Sequence, residues 1–143
     1  MECELPRVNS NRDEMKRYFE ECKTIAVIGC SPKPEKASNR VAKYLLEVGY
    51  DIIPVYPKEE KILGQKVYNS LADIDRPVDM VVVFRKPAVV SAVADVCIKR
   101  GDIKVLWTQL EIINNEAAEK AKDNGISVVQ NHCAMVEHKA IFN

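Results

Sequence analysis

Residues 24–29 read TIAVIG, a short apolar run that ends in glycine. The run is too short to form a helix of its own, and its content of Val and Ile without alternation is typical of a strand buried on both faces. Four further runs share this pattern, at residues 51–55 (DIIPV), 79–84 (DMVVVF), 104–109 (KVLWTQ) and 126–130 (ISVVQ). The chain therefore contains five predicted strands.

Helical patterns fill the segments between these strands. Apolar residues recur three or four positions apart in three groups: Val41, Ala42, Leu45 and Leu46; Val90, Val93, Ala94, Cys97 and Ile98; and Ala117, Ala118 and Ala121. Ser38 is predicted to cap the first helix, and Gly49, Gly101 and Gly125 to end the three helices in turn. A shorter segment, Ser70 to Ile74, is predicted to form one or two turns.

One more helix precedes the first strand. Asn11 followed by Glu14 resembles a capping box, which predicts a helix from Asn11 to Cys22. Strands that alternate with helices in this way form parallel sheets with right-handed crossovers. We therefore predict an α/β fold, a Rossmann-like three-layer sandwich with a five-stranded parallel sheet of order 3-2-1-4-5 and an N-terminal helix.

Length and composition exclude several classes of protein. The chain has 143 residues, of which 47% are hydrophobic, so we expect a single domain over residues 1–143. No apolar run approaches the ~20 residues that cross a bilayer, and the first residues lack the order of a signal peptide. Because 21 Lys and Arg balance 21 Asp and Glu, no global field favours nucleic acid as a partner.

The cysteines indicate a reducing compartment. Five are present, an odd number, and none forms a CxxC pair; they are Cys3, Cys22, Cys30, Cys97 and Cys133. This pattern argues against a disulfide framework and against a zinc site. We expect a cytoplasmic protein without a metal.

The predicted topology locates a ligand site. In the order 3-2-1-4-5 the sheet reverses between its first and fourth strands, and ligands bind beyond the carboxyl ends of the strands at such a reversal. The loop that follows the first strand has Gly29 as its only glycine, so the GxGxxG dinucleotide fingerprint is absent. Near the end of the second strand Lys58 stands where an acidic residue would hold a ribose, which disfavours plain NAD.

Cations cluster at these strand ends in a neutral protein. Lys33, Lys36, Arg40 and Lys43 outnumber Glu35, and Lys58, Arg85 and Lys86 follow the neighbouring strands. We call these seven cations the basic rim. The helix that begins near Ser38 directs free amides at the same place, which suits a phosphate, and Ser31 and Ser38 offer hydroxyl donors. Val55, Tyr56, Pro57 and Pro87 offer a flat slot for a purine, so the inferred ligand is an adenine nucleotide with several phosphates.

The chain closely resembles a known family over most of its length. The strings that carry the likeness are AVIGCSPKPEKASNRVAKYLLEVGYDIIPVYPKEEKILGQKVYNSLADI, VDMVVVFRKP and VLWTQLEIINNEAAEKAKDNGISVV. They are similar to the small CoA-binding protein family, a stand-alone relative of the CoA-binding domain in the succinyl-CoA synthetase alpha subunit. The likeness runs from about Thr24 to Cys133, and the motifs are specific when taken together.

The resemblance implies a role for each loop. The loop after the first strand holds CoA phosphates, the turn Pro54 to Pro57 lies against the adenine, and Lys58 is placed for the 3′-phosphate. Phe84 and Arg85 flank the nucleotide, and the pantetheine arm passes Trp107 to Gln109. The predicted sites for coenzyme A or an acyl-CoA are therefore Gly29, Cys30, Ser31, Pro32, Lys33, Ser38, Arg40, Val55, Tyr56, Pro57, Lys58, Phe84, Arg85, Lys86, Trp107 and Gln109.

The sequence departs from the family pattern in three places. Tyr56 stands where Asn is common in the P-V-N-P turn, and Cys30 stands where a small residue such as Ala is usual. Asn131-His132-Cys133 replaces the more typical D-R-C, so Cys133 matches and the contact of the preceding Arg is lost. No family role transfers to Cys30.

The residues point to a binder without an evident catalytic set. Cys30 is a candidate nucleophile, since a thiol near a helix N-terminus can have a lowered pKa, and a small half-buried residue is the structural alternative. His132 could approach the site, but no pair of carboxylates stands at a strand end. We predict a cytoplasmic CoA-binding protein with no assigned protein partner. The alternatives are an NADP- or CoA-thiol-dependent redox enzyme that uses Cys30, and an interaction module that has lost its ligand.

Overall fold

The computed structural model describes residues 5–143 and contains a parallel sheet of five strands between two layers of helices. The elements in chain order are α1 (Arg12–Glu21), β1 (Thr24–Ile28), α2 (Ala37–Glu47), β2 (Asp51–Val55), β3 (Lys61–Ile62), β4 (Gln65–Lys66), a 3₁₀ helix (Leu71–Asp73), β5 (Met80–Val83), α3 (Pro87–Arg100), β6 (Val105–Thr108), α4 (Asn115–Asp123), β7 (Ser127–Val129) and α5 (Ala134–Phe142). The α/β Rossmann-like prediction is confirmed. Cys3 lies outside the described residues.

The two faces of the sheet bury separate apolar cores, because successive side chains of a strand point to opposite faces. One core lies under α3 and α4 and includes Ala26, Val81 and Leu106. The other lies under α1, α2 and α5 and includes Val27, Val82 and Trp107. Nearly every strand residue is buried, which explains the unalternated apolar runs in the sequence.

The strand order differs from the prediction. The sheet runs β2-β1-β5-β6-β7, so the third long strand lies next to the first, and the order 3-2-1-4-5 was wrong. The physical reason is Pro54, which lacks an N–H and therefore suits an edge strand. The open edge of β2 is covered by the segment around Tyr68, whose amide donates to the carbonyl oxygen of Pro54 at 3.1 Å. The topological reversal consequently lies between β1 and β5.

Helix boundaries agree with the predictions to within about two residues, with one error at a cap. Asn11 and Glu14 form the predicted capping box of α1, and Gly101 ends α3 in the left-handed region with φ 78°. Ser38 does not cap α2, because the N-cap is Lys36 and Ser38 already lies in the first turn. The segment from Ser70 to Ile74, predicted to form one or two turns, contains the short 3₁₀ helix Leu71–Asp73.

Two features of the fold were not predicted. The hairpin of β3 and β4 is formed by strands of two residues each, too short to show a pattern. The helix α5 follows the last strand, and its apolar residues do not gather on one face. Among residues 5–143, no helix has the length and apolar character needed to cross a membrane.

Candidate functional site

The carboxyl ends of β1, β2 and β5 meet around Gly29. Its amide donates to the carbonyl oxygen of Val55 at 2.9 Å, which ties the end of β1 to the end of β2. Gly29 has φ +81°, and a Cβ built there would lie 2.6 Å from the carbonyl oxygen of Phe84. Glycine is therefore required twice, for its backbone conformation and for the close approach of the end of β5.

The loop that follows Gly29 is held by buried side-chain hydrogen bonds. The Ser31 amide donates to the Ser38 Oγ at 2.9 Å, and the Asn39 side-chain amide donates to the Ser31 carbonyl oxygen at 2.8 Å. All three residues are buried. No acceptor for the Ser38 hydroxyl proton lies among residues 5–143, so that proton is available to a ligand. Asn39 is a positioning residue that the sequence patterns did not indicate.

This loop and the start of α2 form one side of a cleft. The cleft is lined by Gly29, Ser31, Lys36, Ala37, Ser38, Tyr56, Phe84 and Arg85. The N-cap Lys36 makes no side-chain capping bond, and no acidic residue stands in the first turn of α2. The amides of Ala37 and Ser38 at the start of α2 lie at the cleft and have no acceptor among residues 5–143, an arrangement that favours an anion, whereas the Asn39 amide donates to the carbonyl oxygen of Lys36 at 3.1 Å.

A second cavity, of about 310 Å³, is also lined by Gly29. Its lining is mainly apolar and comes from the end of β2, the 3₁₀ helix and α3; it comprises Ile28, Gly29, Val55, Tyr56, Pro57, Asn69, Ser70, Leu71, Ala72, Arg85, Val89, Ala92, Val93 and Val96. We call this cavity the slot. Gly29, Tyr56 and Arg85 line both the slot and the cleft, so the two cavities lie side by side.

The basic rim carries uncompensated charge. Among residues 5–143, none of its seven cations forms an ion pair with a carboxylate. The remaining five arginines of the chain all form such pairs. Arg40 donates to the carbonyl oxygen of Glu35. Lys58 directly follows Pro57 in a tight turn and has φ 60°. Unpaired cations at the rim of a cleft favour a polyanionic ligand.

Comparison with known proteins agrees with this geometry. The family model described as the CoA binding domain matches residues 23–139. The chain belongs to the CoA binding domain family.

Relatives of this CoA binding domain include both small proteins and parts of larger ones. The chain is 37% identical over 130 residues to the uncharacterized protein YneT of Bacillus subtilis, which covers 91% of this chain and 96% of YneT. It is 40% identical to a hypothetical protein from Pyrococcus horikoshii OT3 whose structure matches with a TM-score of 0.90 over 100% of both chains. It is also 40% identical over 90 residues to the ADP-forming acetate–CoA ligase I subunit alpha of Pyrococcus furiosus, covering 59% of this chain and 19% of that subunit.

The structure brings together only some of the predicted site residues. Gly29, Ser31, Ser38, Val55, Tyr56, Pro57, Phe84 and Arg85 line the cleft or the slot. Lys33, Arg40, Lys58 and Lys86 are exposed at the same edge, and Pro32 is half-buried beside them. Residues 69–72 and the slot-facing residues of α3 were not predicted, because they come from segments without a recognisable motif.

Cys30 lines neither the cleft nor the slot. Its side chain is fully buried in the core under α2, and burial raises the pKa of its thiol to about 11. The thiolate is the reactive form of cysteine, so a raised pKa opposes reaction. The raised pKa and full burial favour the structural alternative for Cys30, and the redox alternative loses its nucleophile.

Trp107 and Gln109 also lie beneath the surface. Trp107 is fully buried, its ring centroid is 5.1 Å from that of Phe19, and its Nε1 donates to the carbonyl oxygen of His132 at 2.8 Å. The Gln109 Oε1 accepts from the amide of Ala134 at 3.2 Å. Contact of these two residues with a pantetheine arm stays a prediction.

The two histidines are engaged elsewhere. His132 is half-exposed, with its Nδ1 3.5 Å from a carboxylate oxygen of Glu137. His138 lies between α1, α2 and α5, where its Nδ1 is 2.6 Å from the Tyr44 hydroxyl oxygen, and burial lowers its pKa. Neither histidine lines the cleft or the slot.

Proposed function

We propose that this CoA binding domain holds coenzyme A or an acyl-CoA by its 3′-phospho-ADP part at the carboxyl ends of β1, β2 and β5. The observation that carries the proposal is an apolar slot beside an anion-favouring cleft, both edged by cations that have no carboxylate partner among residues 5–143. The two cavities share Gly29, Tyr56 and Arg85. A flat apolar ring joined to several phosphates fits this pair of cavities.

The slot supports binding of the adenine. Val55 and Pro57 bound it on the β2 side, and Leu71, Val89 and Val93 bound it on the side of the 3₁₀ helix and α3. Burial of apolar surface contributes ~25 cal/mol per Å², so an aromatic base gains most of its affinity here. Asn69 and Ser70 at the slot supply polar groups for the edge of the base.

The cleft supports binding of the pyrophosphate. The first amides of α2, the Ser38 hydroxyl and the side chains of Lys36 and Arg85 all face this space. Helix amides combined with basic side chains are a common phosphate site. The exposed Lys58, directly after Pro57, is the cation that we assign to the 3′-phosphate.

The proposed role of the protein is that of a carrier, sensor or partner subunit for CoA in the cytoplasm, without evident catalytic residues of its own. The buried Cys30 removes support for the redox alternative. Nothing in the cleft favours NADP over CoA, so the two ligands are separated by experiment.

Isothermal titration tests the assignment with CoA, dephospho-CoA and NADPH. We expect CoA to bind about tenfold more tightly than dephospho-CoA, since a charge-assisted contact contributes ~1.5 kcal/mol. Lys58→Ala removes this difference, whereas Lys99→Ala, at an exposed lysine on α3, preserves it. Tight binding of NADPH without binding of CoA would overturn the proposal. Equal affinity of Lys58→Ala and the wild type for CoA would move the 3′-phosphate away from Lys58.

A further inference from the structure

His138, in the middle of α5, lies in a cluster of aromatic rings. Its ring centroid is 5.0 Å from that of Phe19 on α1 and 5.4 Å from that of Tyr44 on α2. The rings of Tyr50 and Phe142 lie at 5.9 and 4.6 Å. We call these five residues the aromatic cluster. Because its members come from α1, α2, α5 and the loop after α2, the cluster attaches α5 to the rest of the protein.

The surroundings of the His138 imidazole contain no carboxylate partner. Its Nδ1 is 2.6 Å from the Tyr44 hydroxyl oxygen, and the Tyr50 hydroxyl donates to the carbonyl oxygen of Phe19. On α5 itself, the Lys139 Nζ lies over the Tyr44 ring, 5.1 Å from its centroid. Among residues 5–143, His138 forms no ion pair with a carboxylate. A positive charge on His138 would therefore meet aromatic rings and a lysine.

Burial adds to this cost. It opposes the charged form of the imidazole and lowers the pKa of His138 below the usual ~6.5. In a released α5 the imidazole would lie in water, so the released form binds the proton first as the pH falls. Docking of α5 is therefore strongest above pH ~6.5 and weakens as the pH falls from there through the folded value.

The second histidine of the chain has the opposite surroundings. His132 precedes the N-cap of α5, and its Nδ1 is 3.5 Å from the Oε2 of Glu137. Glu137 is buried, and its Oε1 accepts from the Nε of Arg12 at 2.8 Å. A positive charge on His132 would strengthen the attachment of α5. Since the chain has two histidines and carboxylates titrate near pH ~4, release of α5 between pH ~5 and ~8 would have to come from His138.

We propose that protonation of His138 releases α5 from α1 and α2, so that the aromatic cluster is a pH-sensitive switch. The neutral imidazole keeps the helix docked, and the charged imidazole undocks it. Release uncovers the core on that face of the sheet, which contains Phe19 and Trp107. The switch lies outside the cleft and the slot and does not depend on the proposed function.

Hydrogen exchange of the full chain at about pH 8 and about pH 5, corrected for the intrinsic exchange rate, tests the switch. We expect the amides of α5 to lose protection at the lower pH, whereas those of α3 and α4, which cover the other core, keep it. Trp107 is the single tryptophan of the chain and is fully buried. Its fluorescence emission is expected to shift to longer wavelength over the same pH range.

Two variants assign the effect to one histidine. His138→Phe keeps a ring in the aromatic cluster and cannot be protonated, so we expect the protection of α5 to be equal at the two pH values. His132→Gln is the matched control and is expected to lose protection at the lower pH as the wild type does. Unchanged protection of α5 in the wild type, or the same loss in His138→Phe, would overturn the proposal.

A measurement on the wild type covers the case in which His138→Phe does not fold. The NMR titration of the His138 ring gives its pKa in the folded protein directly. We expect a value below the usual ~6.5. A value at or above it would overturn the switch, because docking of α5 would then not weaken on protonation of His138.

Discussion

Charged side chains at the two edges of the sheet differ in whether they have partners within the protein. At the amino edge, where the strands begin, Asp79 accepts hydrogen bonds from the amides of Lys23 and Thr24 at 2.9 and 3.1 Å. Asp102 accepts from the amide of Val78 and is paired with Arg100. Each of these carboxylates joins neighbouring strands or loops. The amino edge is therefore neutralised by the protein itself.

At the carboxyl edge the basic rim has no carboxylate partner among the described residues, and α2 and α3 begin without side-chain caps. The helices α2 and α3 begin at the carboxyl edge, and helix N-termini favour acidic side chains, so stability of the fold does not explain the cations there. Paired charges at one edge stabilise the fold, and unpaired charges at the other are available to a ligand. Substitutions at the two edges should accordingly have different effects on stability and on binding.

The largest expected effect is at Gly29. Gly29→Ala places a Cβ 2.6 Å from the carbonyl oxygen of Phe84 and forces a side chain into the left-handed region. We expect the free energy of unfolding to fall by about 2–3 kcal/mol and CoA binding to be lost, because the ends of β1 and β5 must separate. Chemical denaturation and calorimetric titration measure the two effects.

Gly64→Ala is the matched control for Gly29→Ala. Gly64 also has a positive φ, +74°, but an added Cβ meets nothing within 4 Å. We expect it to cost only the backbone strain, about 1 kcal/mol, and to leave CoA binding unchanged. Equal losses of stability in the two variants would show that the close approach at Phe84 does not matter.

Arg85 and Arg100 give a crossed comparison of the two edges. Arg85 lines both cavities and pairs with no carboxylate among the described residues, so Arg85→Ala is expected to weaken CoA binding at least tenfold with little change in stability. Arg100 donates to the carbonyl oxygens of Leu71 and Ile74 at 3.0 and 2.8 Å. Arg100→Ala is expected to lower the free energy of unfolding by about 2 kcal/mol.

The same two measurements, denaturation and titration, apply to both arginine variants. A loss of stability in Arg85→Ala comparable to that in Arg100→Ala would contradict the division between the edges. Retained CoA affinity in Arg85→Ala would remove Arg85 from the site.

The edge of the sheet that carries the candidate site could be predicted from sequence, because topology alone determines it. Strands that alternate with helices end at one edge, and the loops after 24–29 and 51–55 already carried the cations and the proline turn. The predicted strand order was wrong because 3-2-1-4-5 is only the common order of such sheets, and this chain has a proline within its second strand, DIIPV. Pro54 within that run was a signal for an edge strand, and it would have placed the reversal between β1 and β5.

Side-chain direction limited the prediction of individual site residues. Trp107 follows Val105 on the same face of β6, so alternation directs it into the core under α1, α2 and α5 rather than to the strand end. Residues 69–72 form a wall of the slot only because the segment after β4 folds back along β2. Contacts between segments distant in sequence form this wall, and the local pattern of apolar residues does not predict such contacts.

The smallest expected effect is the response of the amino edge to acid. Burial opposes ionisation of Asp102, but hydrogen bonds from Arg100 and from the Val78 amide outweigh it, so the pKa of Asp102 is lowered in the folded protein. The unfolded chain therefore takes up this proton first as the pH falls. The stabilisation is complete above the unfolded pKa of ~3.9 and is lost as the pH falls through the folded value.

Denaturation at a series of pH values between neutral and about pH 3 measures this response. In Asp102→Asn we expect lower stability at neutral pH and a weaker dependence below pH ~4, since the titrating carboxylate is gone. Arg85→Ala should keep the pH dependence of the wild type, because Arg85 forms no ion pair with a described carboxylate. A change in the pH dependence of stability in Arg85→Ala as large as that in Asp102→Asn would show that Arg85 pairs with a carboxylate in solution. The cations of the carboxyl edge would then not be free to bind phosphates.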